Sequence, residues 1–208
     1  MSLPPTGPPA IVRGGDVALA RAVDSGVRRI RFEPEPGSDL ARALGLGRAA
    51  TPGHLEVVLD ALRLVEPEGL AVNAVVLGVP PDRLGWAHRR HHLIVQVDGH
   101  VAFEGRAASV VLAIGQFLRG ADVVPRGHPG DGHAEVQVYA LRAGERREMR
   151  RRLRAGAHVP HPRIRAGRGT RFAVLADRSL PLEVDGARQG RTRTVTAEIL
   201  AGAYVLAV

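Results

Sequence analysis

The segment VVLAIGQFLRGADVVPRGHPGDGHAEVQV, residues 110–138, decides the fold class of this chain. It begins with an apolar run typical of a buried strand and continues through a loop rich in glycine and proline. It ends in a second strand, in which apolar residues alternate with polar ones. The pair Asp131-Gly132 precedes this second strand and indicates a turn. The order of strand, loop, turn and strand therefore predicts a β-rich domain around this segment.

From about Gly69 to its end, the chain shows short alternating strands between turn residues, which is typical of an antiparallel β-sandwich. Residues 93–97 and 101–103 predict a hairpin because they flank the turn residues 98–100. One helix is expected among the strands, at residues 145–154. Further strands are expected at residues 72–77, 109–114, 135–139, 171–175, 182–184, 192–200 and 203–208.

The N-terminal part of the chain indicates a different organisation, with helical periodicity around a strand at residues 27–32. Helices are expected at residues 16–23 and 38–44. Ser38 or Asp39 is expected to begin the second helix as its N-cap, and capping is the favoured role of Asp39.

A third N-terminal helix is expected at residues 55–65, with four apolar residues on one face: Leu55, Val58, Leu59 and Leu62. The change of pattern after this segment predicts two domains. Residues 1–66 form an abbreviated α/β domain, and residues 67–208 form the β-sandwich. The expected fold class is therefore α+β.

The composition is that of a globular protein with a substantial core, because 45% of its 208 residues are hydrophobic. The sequence contains no cysteine, which excludes disulfides and thiolate metal sites. No segment resembles a signal peptide or an apolar membrane span. These features predict a cytoplasmic protein.

The formal net charge is +8, and all 29 basic side chains are arginine. Two interpretations stay open. The charge favours an anionic partner, whereas arginine bias with abundant alanine and glycine is also typical of a GC-rich genome. Nucleic acid is the less favoured partner, because only four Phe, two Tyr and one Trp are available for base stacking. An anionic lipid or membrane surface is the expected alternative, with peripheral membrane association.

Four other segments, together with residues 110–138, resemble one known family. They are IVRGGDVALA (11–20), FEPEPGSDLARALGL (32–46), RLRAGAHVPHPRI (152–164) and LEVDGARQG (182–190). In this order they are similar to four motifs of the diacylglycerol kinase and bacterial lipid kinase family: a Gly-Gly-Asp-Gly-Thr loop, a Pro-x-Gly-Thr-x-Asn-Asp segment, a Gly-x-His segment and an Asp-Gly-Glu hairpin. Within residues 110–138, the family frame is kept by Gly115, Gly120, Pro125, Asp131, Gly132, Val136 and Val138. Arg119-Gly120-Ala121 stands where the family has a triplet of glycines.

The resemblance implies a β-sandwich of the lipid kinase type joined to a truncated nucleotide-binding domain. It also implies ATP and Mg²⁺ as cofactors. By their match to the two nucleotide segments, the candidate cofactor-binding residues are Gly14, Gly15, Asp16, Ser38 and Asp39. By its match to the family's Asp-Gly pair, Asp131 is the candidate metal ligand.

Three departures from the family pattern affect three separate parts of phosphoryl transfer. Val17 replaces a glycine of the first loop, and a β-branched residue does not easily adopt a positive φ. Glu35 and Pro36 replace the Gly-Thr pair, which adds a negative charge and removes a backbone donor. Ala187 occupies the position of the family's general base, so no catalytic residue is assigned. The adjacent Asp185 is expected to begin a turn.

Two functions from different classes remain. The first is a degenerate homologue, a pseudokinase that has lost phosphoryl transfer and binds a lipid or a partner protein. The second is an active ATP-dependent lipid kinase completed by a second chain. The first nucleotide loop begins at Gly14, so the resemblance predicts a chain without the two βαβ units that precede this loop in the family. The apolar surface left by them predicts either a homodimer or an α/β segment folded against the sandwich.

Overall fold

The computed structural model describes residues 8–46 and 56–207. Within them the chain has the expected α+β fold, mostly sheet with few helices. The α-helices are α1 (Asp16–Asp24), α2 (Asp39–Ala43) and α3 (Arg146–Leu153). The strands, in chain order, are β1 (Ala10–Gly14), β2 (Arg29–Pro34), β3 (Glu56–Glu66), β4 (Gly69–Ala71), β5 (Ala74–Gly78), β6 (His91–Val97), β7 (His100–Ala107), β8 (Ser109–Ala113), β9 (Phe117–Leu118), β10 (Ala121–Asp122), β11 (Ala134–Tyr139), β12 (Ile164–Gly169), β13 (Arg171–Val184) and β14 (Ala187–Ala207).

Most of these strands belong to one large sheet. Its main path runs in the order β1-β2-β14-β13-β5-β8-β11-β12. β3 and β4 attach to this path through β14, and β6 and β7 attach through β13. The remaining strands, β9 and β10, pair with each other. Because β14 extends over 21 residues, it pairs with β13 along its first half and with β3 and β2 along its second half.

The N-terminal α/β segment joins the sandwich through β14. β1 pairs in parallel with β2, and β2 pairs in parallel with β14, where Val205 lies opposite Arg29. The α/β segment is thus folded against the sandwich, which is one of the two arrangements expected for it. The other arrangement, a homodimer, stays a prediction, as does the domain boundary at residue 66.

The helix predicted for residues 55–65 is wrong, because Glu56–Glu66 forms β3 and Leu55 lies outside the described residues. Leu59 and Leu62 are buried, as the helical pattern requires, but Val58 is exposed. The backbone of β3 pairs with β14 on one side and β4 on the other. Long-range pairing therefore overrides a local periodicity that fits a helix equally well.

In two places, a pair of strands expected from the sequence forms one continuous strand in the structure. Residues 192–200 and 203–208 were assigned to separate strands but belong to β14, apart from Val208, which lies outside the described residues. A register shift between Leu200 and Tyr204 marks the irregularity that the sequence suggests. Residues 171–175 and 182–184 likewise both belong to β13. The irregular positions are bulges within long strands rather than turns between short ones.

Three apolar clusters stabilise the fold. The first fills the sandwich and includes Phe172. The second holds α3 against the outer face of the sandwich through Met149 and Leu153. The third packs α1 and α2 on β2, β3 and β14 through Leu19 and Leu40, and so fixes the helix starts where the candidate site lies. No helix in the described ranges is long and apolar enough to cross a bilayer.

Candidate functional site

Gly14 and Gly15 form the turn from β1 into α1. Gly14 has a φ of +130°, and a Cβ atom at this position would lie only 2.9 Å from the Cβ of Ala18. The carbonyl of Gly15 accepts the N–H groups of Ala18 and Leu19 at 3.0 and 3.3 Å, which begins the helix. These two candidate residues therefore build a tight turn that only glycine fits at its first position.

Asp16, the first residue of α1, is buried and connects the starts of two helices. Its Oδ1 accepts the Ser38 hydroxyl at 2.5 Å, and its Oδ2 accepts the Leu40 N–H at 3.2 Å. Ser38 in turn accepts the N–H of Ala41 at 3.0 Å and is the N-cap of α2. Burial raises the pKa of Asp16, although the hydrogen bond from Ser38 opposes this rise.

Asp39 is not the helix cap that the sequence favours. Its two carboxylate oxygens accept the backbone N–H groups of Arg119 and Gly120, the latter at 2.7 Å. Ser38 already satisfies the helix start, so the neighbouring carboxylate is available for the turn between β9 and β10. Asp39 therefore joins the α/β segment to the loop that corresponds to the family's glycine triplet.

Asp185 lies in the turn from β13 to β14, where it has a φ of 48° and Gly186 a φ of 80°. This confirms the predicted turn, but the buried carboxylate has a second role. Its Oδ2 accepts the N–H of Val72, and its Oδ1 accepts those of Asn73 and Ala74, each at 2.9 Å. Burial raises the pKa of Asp185 to about 7, with the nearby Asp16 charge contributing and these hydrogen bonds opposing.

Arg119 links these segments, and the sequence does not predict the carboxylates that it contacts. Its guanidinium donates to Asp82, from Nε to Oδ2 at 3.0 Å and from Nη2 to Oδ1 at 2.8 Å. It also donates from Nη1 to Oε1 of Glu183, which is buried on β13 near Asp185. The available signal was the replacement of a family glycine by arginine, since a long cation in a glycine-rich turn needs anionic partners.

A cleft of about 630 Å³ lies beside α2 and residues 34–38. Glu35 is held there by its N–H, which donates to the Gly14 carbonyl at 2.9 Å. Its Oε1 lies 3.7 Å from the point that a Cβ atom of Gly14 would occupy. The carboxylate therefore faces the glycine turn, and the next residue, Pro36, offers no N–H.

Asp131 contacts its own turn and β12. Its Oδ1 accepts the N–H of His133 at 3.1 Å, and its Oδ2 pairs with Arg168 at 2.7 Å. Among residues 8–46 and 56–207, no three His, Asp or Glu side chains are grouped so that they could hold a metal. The role of Asp131 as a metal ligand stays a prediction.

A family model described as the YegS C-terminal NAD kinase beta sandwich-like domain matches residues 85–208. The chain belongs to this family. Membership confirms the resemblance to the diacylglycerol and bacterial lipid kinases. None of the curated proteins matches the chain.

Solved structures support the same fold for nearly the whole chain. A diacylglycerol kinase structure from Bacillus anthracis is similar with a TM-score of 0.74 and 16% identity, over 95% of this chain and 75% of that one. A second Bacillus anthracis structure of this type has a TM-score of 0.78 and 16% identity, over 95% and 77%. An NAD kinase from Archaeoglobus fulgidus in complex with ATP has a TM-score of 0.51 and 14% identity, over 95% and 76%. At these identities the likeness establishes the fold.

The structure brings together most of the residues that the family motifs select. The two glycines, Asp16, Ser38 and Asp39 surround the starts of α1 and α2. Asp185 is near enough for the Asp16 charge to affect its pKa. Every carboxylate in this lipid kinase-like cluster accepts hydrogen bonds from the chain itself.

Ser38→Ala is expected to lower the free energy of unfolding by about 2 kcal/mol, because it removes the cap of α2 and the donor to Asp16. Urea unfolding followed by circular dichroism measures this change. Ser25→Ala is the control, since the exposed Ser25 hydroxyl donates only to the Ala22 carbonyl. Its expected effect is within about 0.5 kcal/mol. Equal effects of the two substitutions would contradict the linking role of Ser38.

Proposed function

We propose that this chain is a noncatalytic homologue of the lipid kinases, which keeps the β-sandwich and has lost ATP-dependent phosphoryl transfer. The proposal rests on the carboxylates of the β13–β14 hairpin. Ala187 occupies the general-base position, Asp185 accepts three buried N–H groups, and Glu183 pairs with Arg119. The hairpin therefore offers no free carboxylate to a lipid hydroxyl. Loss of a general base alone lowers a rate by about 10²- to 10⁴-fold.

The nucleotide segments support the same proposal, because their residues fit ATP and Mg²⁺ poorly. Glu35 places a carboxylate beside the glycine turn, where it opposes the charge of a phosphate. Val17 and Pro36 remove the backbone freedom and the donor that a phosphate loop needs. Asp16 and Asp39, the two acidic candidates, already accept hydrogen bonds from the chain.

In this proposal the protein acts by binding, with a lipid, a partner protein or a second copy of the chain as its ligand. The retained sandwich supplies a rigid scaffold, and the α/β segment is fixed to it through β14 and through Asp39. The net charge of +8 favours an anionic surface over a cationic one. A cytoplasmic protein that associates peripherally with membranes fits these properties.

An active ATP-dependent lipid kinase is the second candidate. The cleft of about 630 Å³ beside α2 favours it, because this volume is typical of small-molecule sites. The fold is also similar to that of an NAD kinase in complex with ATP. In this alternative, a second chain completes the nucleotide-binding domain by supplying the missing strands.

Thermal unfolding of the full chain in the presence of MgATP separates the two candidates. We expect no saturable rise in Tm at millimolar MgATP. Occupancy at about 100 times Kd would add about 2.7 kcal/mol, which raises the Tm of a domain of this size by roughly 5 to 10 °C.

Glu35→Gln tests whether the Glu35 carboxylate is what opposes MgATP binding. The substitution removes the charge beside the glycine turn at nearly constant volume. A MgATP-dependent shift that appears only in this variant supports the proposal. A saturable shift of the unmodified chain, together with phosphorylation of dispersed diacylglycerol, would overturn it.

A further inference from the structure

Trp86 is the only tryptophan of the chain, and it is 82% exposed. It lies in the loop that leads into β6, and this loop is firmly attached to α3. Nη1 of Arg146 donates to the carbonyls of Gly85 at 2.7 Å and His88 at 2.6 Å. The backbone on both sides of Trp86 is thus fixed while the indole remains in solvent. Tryptophan is enriched at interfaces, because its indole combines a large apolar face with a polar N–H.

The helix that holds this loop is strongly basic. α3 has the sequence RREMRRRL, with five arginines and one glutamate. Arg150, one turn after Arg146, donates to the Leu84 carbonyl at 2.8 Å, so this face of α3 carries the Trp86 loop. Arg147 and Arg151 follow these two residues by one position and are exposed. Helical periodicity places them on the neighbouring stripe of the same helix.

Most of this positive charge is not neutralised by the protein. The single acidic residue of α3, Glu148, is shared by Arg151 and Arg152 at 2.8 Å each. Within the described ranges, Arg147 and Arg154 have no carboxylate at ion-pair distance. These side chains line an open concave surface of about 580 Å³ together with Glu148, Arg150 and Arg151. Uncompensated arginines and the loop that carries the exposed indole are therefore both parts of the α3 region, joined through Arg146 and Arg150.

We propose that α3 and the Trp86 loop form a docking surface for the anionic face of a phospholipid bilayer. An indole is favoured at the boundary between headgroups and acyl chains, and arginines beside it can contact the phosphates. Met149 and Leu153 keep the apolar face of α3 in the protein core. The helix therefore cannot insert, and only Trp86 enters the interface.

A bilayer fits this surface better than a nucleic acid does. Sequence-tolerant binding of a single strand uses several aromatic side chains on which successive bases stack. Here Phe32, Phe172, Tyr139 and Tyr204 are buried, and Trp86 is the only large exposed aromatic in the described residues. One indole surrounded by arginines matches an interfacial anchor rather than a stacking platform.

This surface is separate from the nucleotide segments, so its test does not depend on the loss of kinase activity. MgATP binding is measured by Tm, and docking is measured by the fluorescence of Trp86. Failure of one proposal leaves the other unaffected.

The experiment titrates the full chain with vesicles of phosphatidylcholine alone and with vesicles that contain roughly one-third phosphatidylglycerol. Because Trp86 is the only tryptophan, its emission reports this surface directly. We expect a shift to shorter wavelength with the anionic vesicles and none with phosphatidylcholine. Glycerol phosphate at the same phosphate concentration should leave the emission unchanged, since a free headgroup provides no apolar interface.

Matched variants assign the binding to α3. Arg147→Gln with Arg151→Gln should lower the partition coefficient about 25-fold, because each arginine near an anionic surface contributes about five-fold. Arg188→Gln with Arg193→Gln removes the same charge from exposed positions of β14 and should have little effect. Trp86→Ala, followed by co-sedimentation, should reduce vesicle binding while circular dichroism shows an unchanged fold.

Three results would overturn the proposal. The first is an emission spectrum that anionic vesicles do not change. The second is equal loss of binding in the two double variants, because it would mean that binding depends on the net charge of the protein and not on α3. The third is a single-stranded oligonucleotide that quenches Trp86 and displaces the vesicles.

Discussion

Replacing Asp185 by alanine is expected to destabilise the fold by about 3 kcal/mol or more, because three buried N–H groups would lose their acceptor. The donors belong to Val72, Asn73 and Ala74, which are themselves buried where the chain enters β5 at Ala74. Alanine offers no acceptor, and each unpaired buried donor costs about 1 to 3 kcal/mol. Urea unfolding of the full chain at neutral pH measures the loss. A cost below about 1 kcal/mol would contradict the structural role of this carboxylate.

The pH dependence of this cost provides its control. Burial raises the pKa of Asp185 from 3.8 to about 7, so the folded protein binds this proton more tightly than the unfolded chain. Stability from the group is complete below the unfolded pKa and is lost as pH rises through about 7. The cost of Asp185→Ala should therefore be larger at about pH 5 than at about pH 8, by roughly 2 kcal/mol. An equal cost at the two pH values would show that the carboxylate is ionised in the folded protein throughout this range.

Local sequence predicts the turns and helix starts of this chain well, because each depends on a few adjacent residues. The turns at Asp98-Gly99 and Asp185-Gly186 need two successive positive φ angles, which Asp-Gly pairs readily supply. Ser38 is a favoured N-cap and is one in the structure. β3 could not be predicted in this way. Its pairing with β14 joins residues more than a hundred positions apart, and no local pattern encodes that.

The contacts within the candidate site are also only partly predictable from local sequence. The family motifs select Asp16, Ser38 and Asp39, and these residues do lie together. The contact of Asp39 with the Arg119-Gly120 turn spans 80 residues and follows from the folded arrangement alone. The burial of Asp185 is also invisible in sequence, since an Asp-Gly turn is usually exposed to solvent.

Arg119→Met should cost about 3 kcal/mol, because it leaves buried Glu183 without its cation. Arg119 is 21% exposed, which places this estimate at the lower end of the range for broken buried pairs. The Arg119 backbone keeps its contact with Asp39, so the loss reports the guanidinium and not the turn. Arg163→Met is the matched control, since Arg163 pairs with the partly exposed Glu145 at 2.9 Å. Its expected cost is at most about 1 kcal/mol.

The double variant Arg119→Met with Glu183→Gln determines whether the cost comes from an unpaired charge. If it does, neutralising Glu183 should restore about half or more of the lost stability, since the coupling energy within a buried pair is about 0.5 to 3 kcal/mol. Urea unfolding of the double variant would contradict this by showing a loss equal to the sum of the losses of the two single variants. That result would mean that Arg119 stabilises the protein mainly through Asp82. Restoration would also explain why an arginine is tolerated in a turn where the family has glycine. Its cation neutralises two carboxylates, one of which is buried beside the hairpin that has lost its general base.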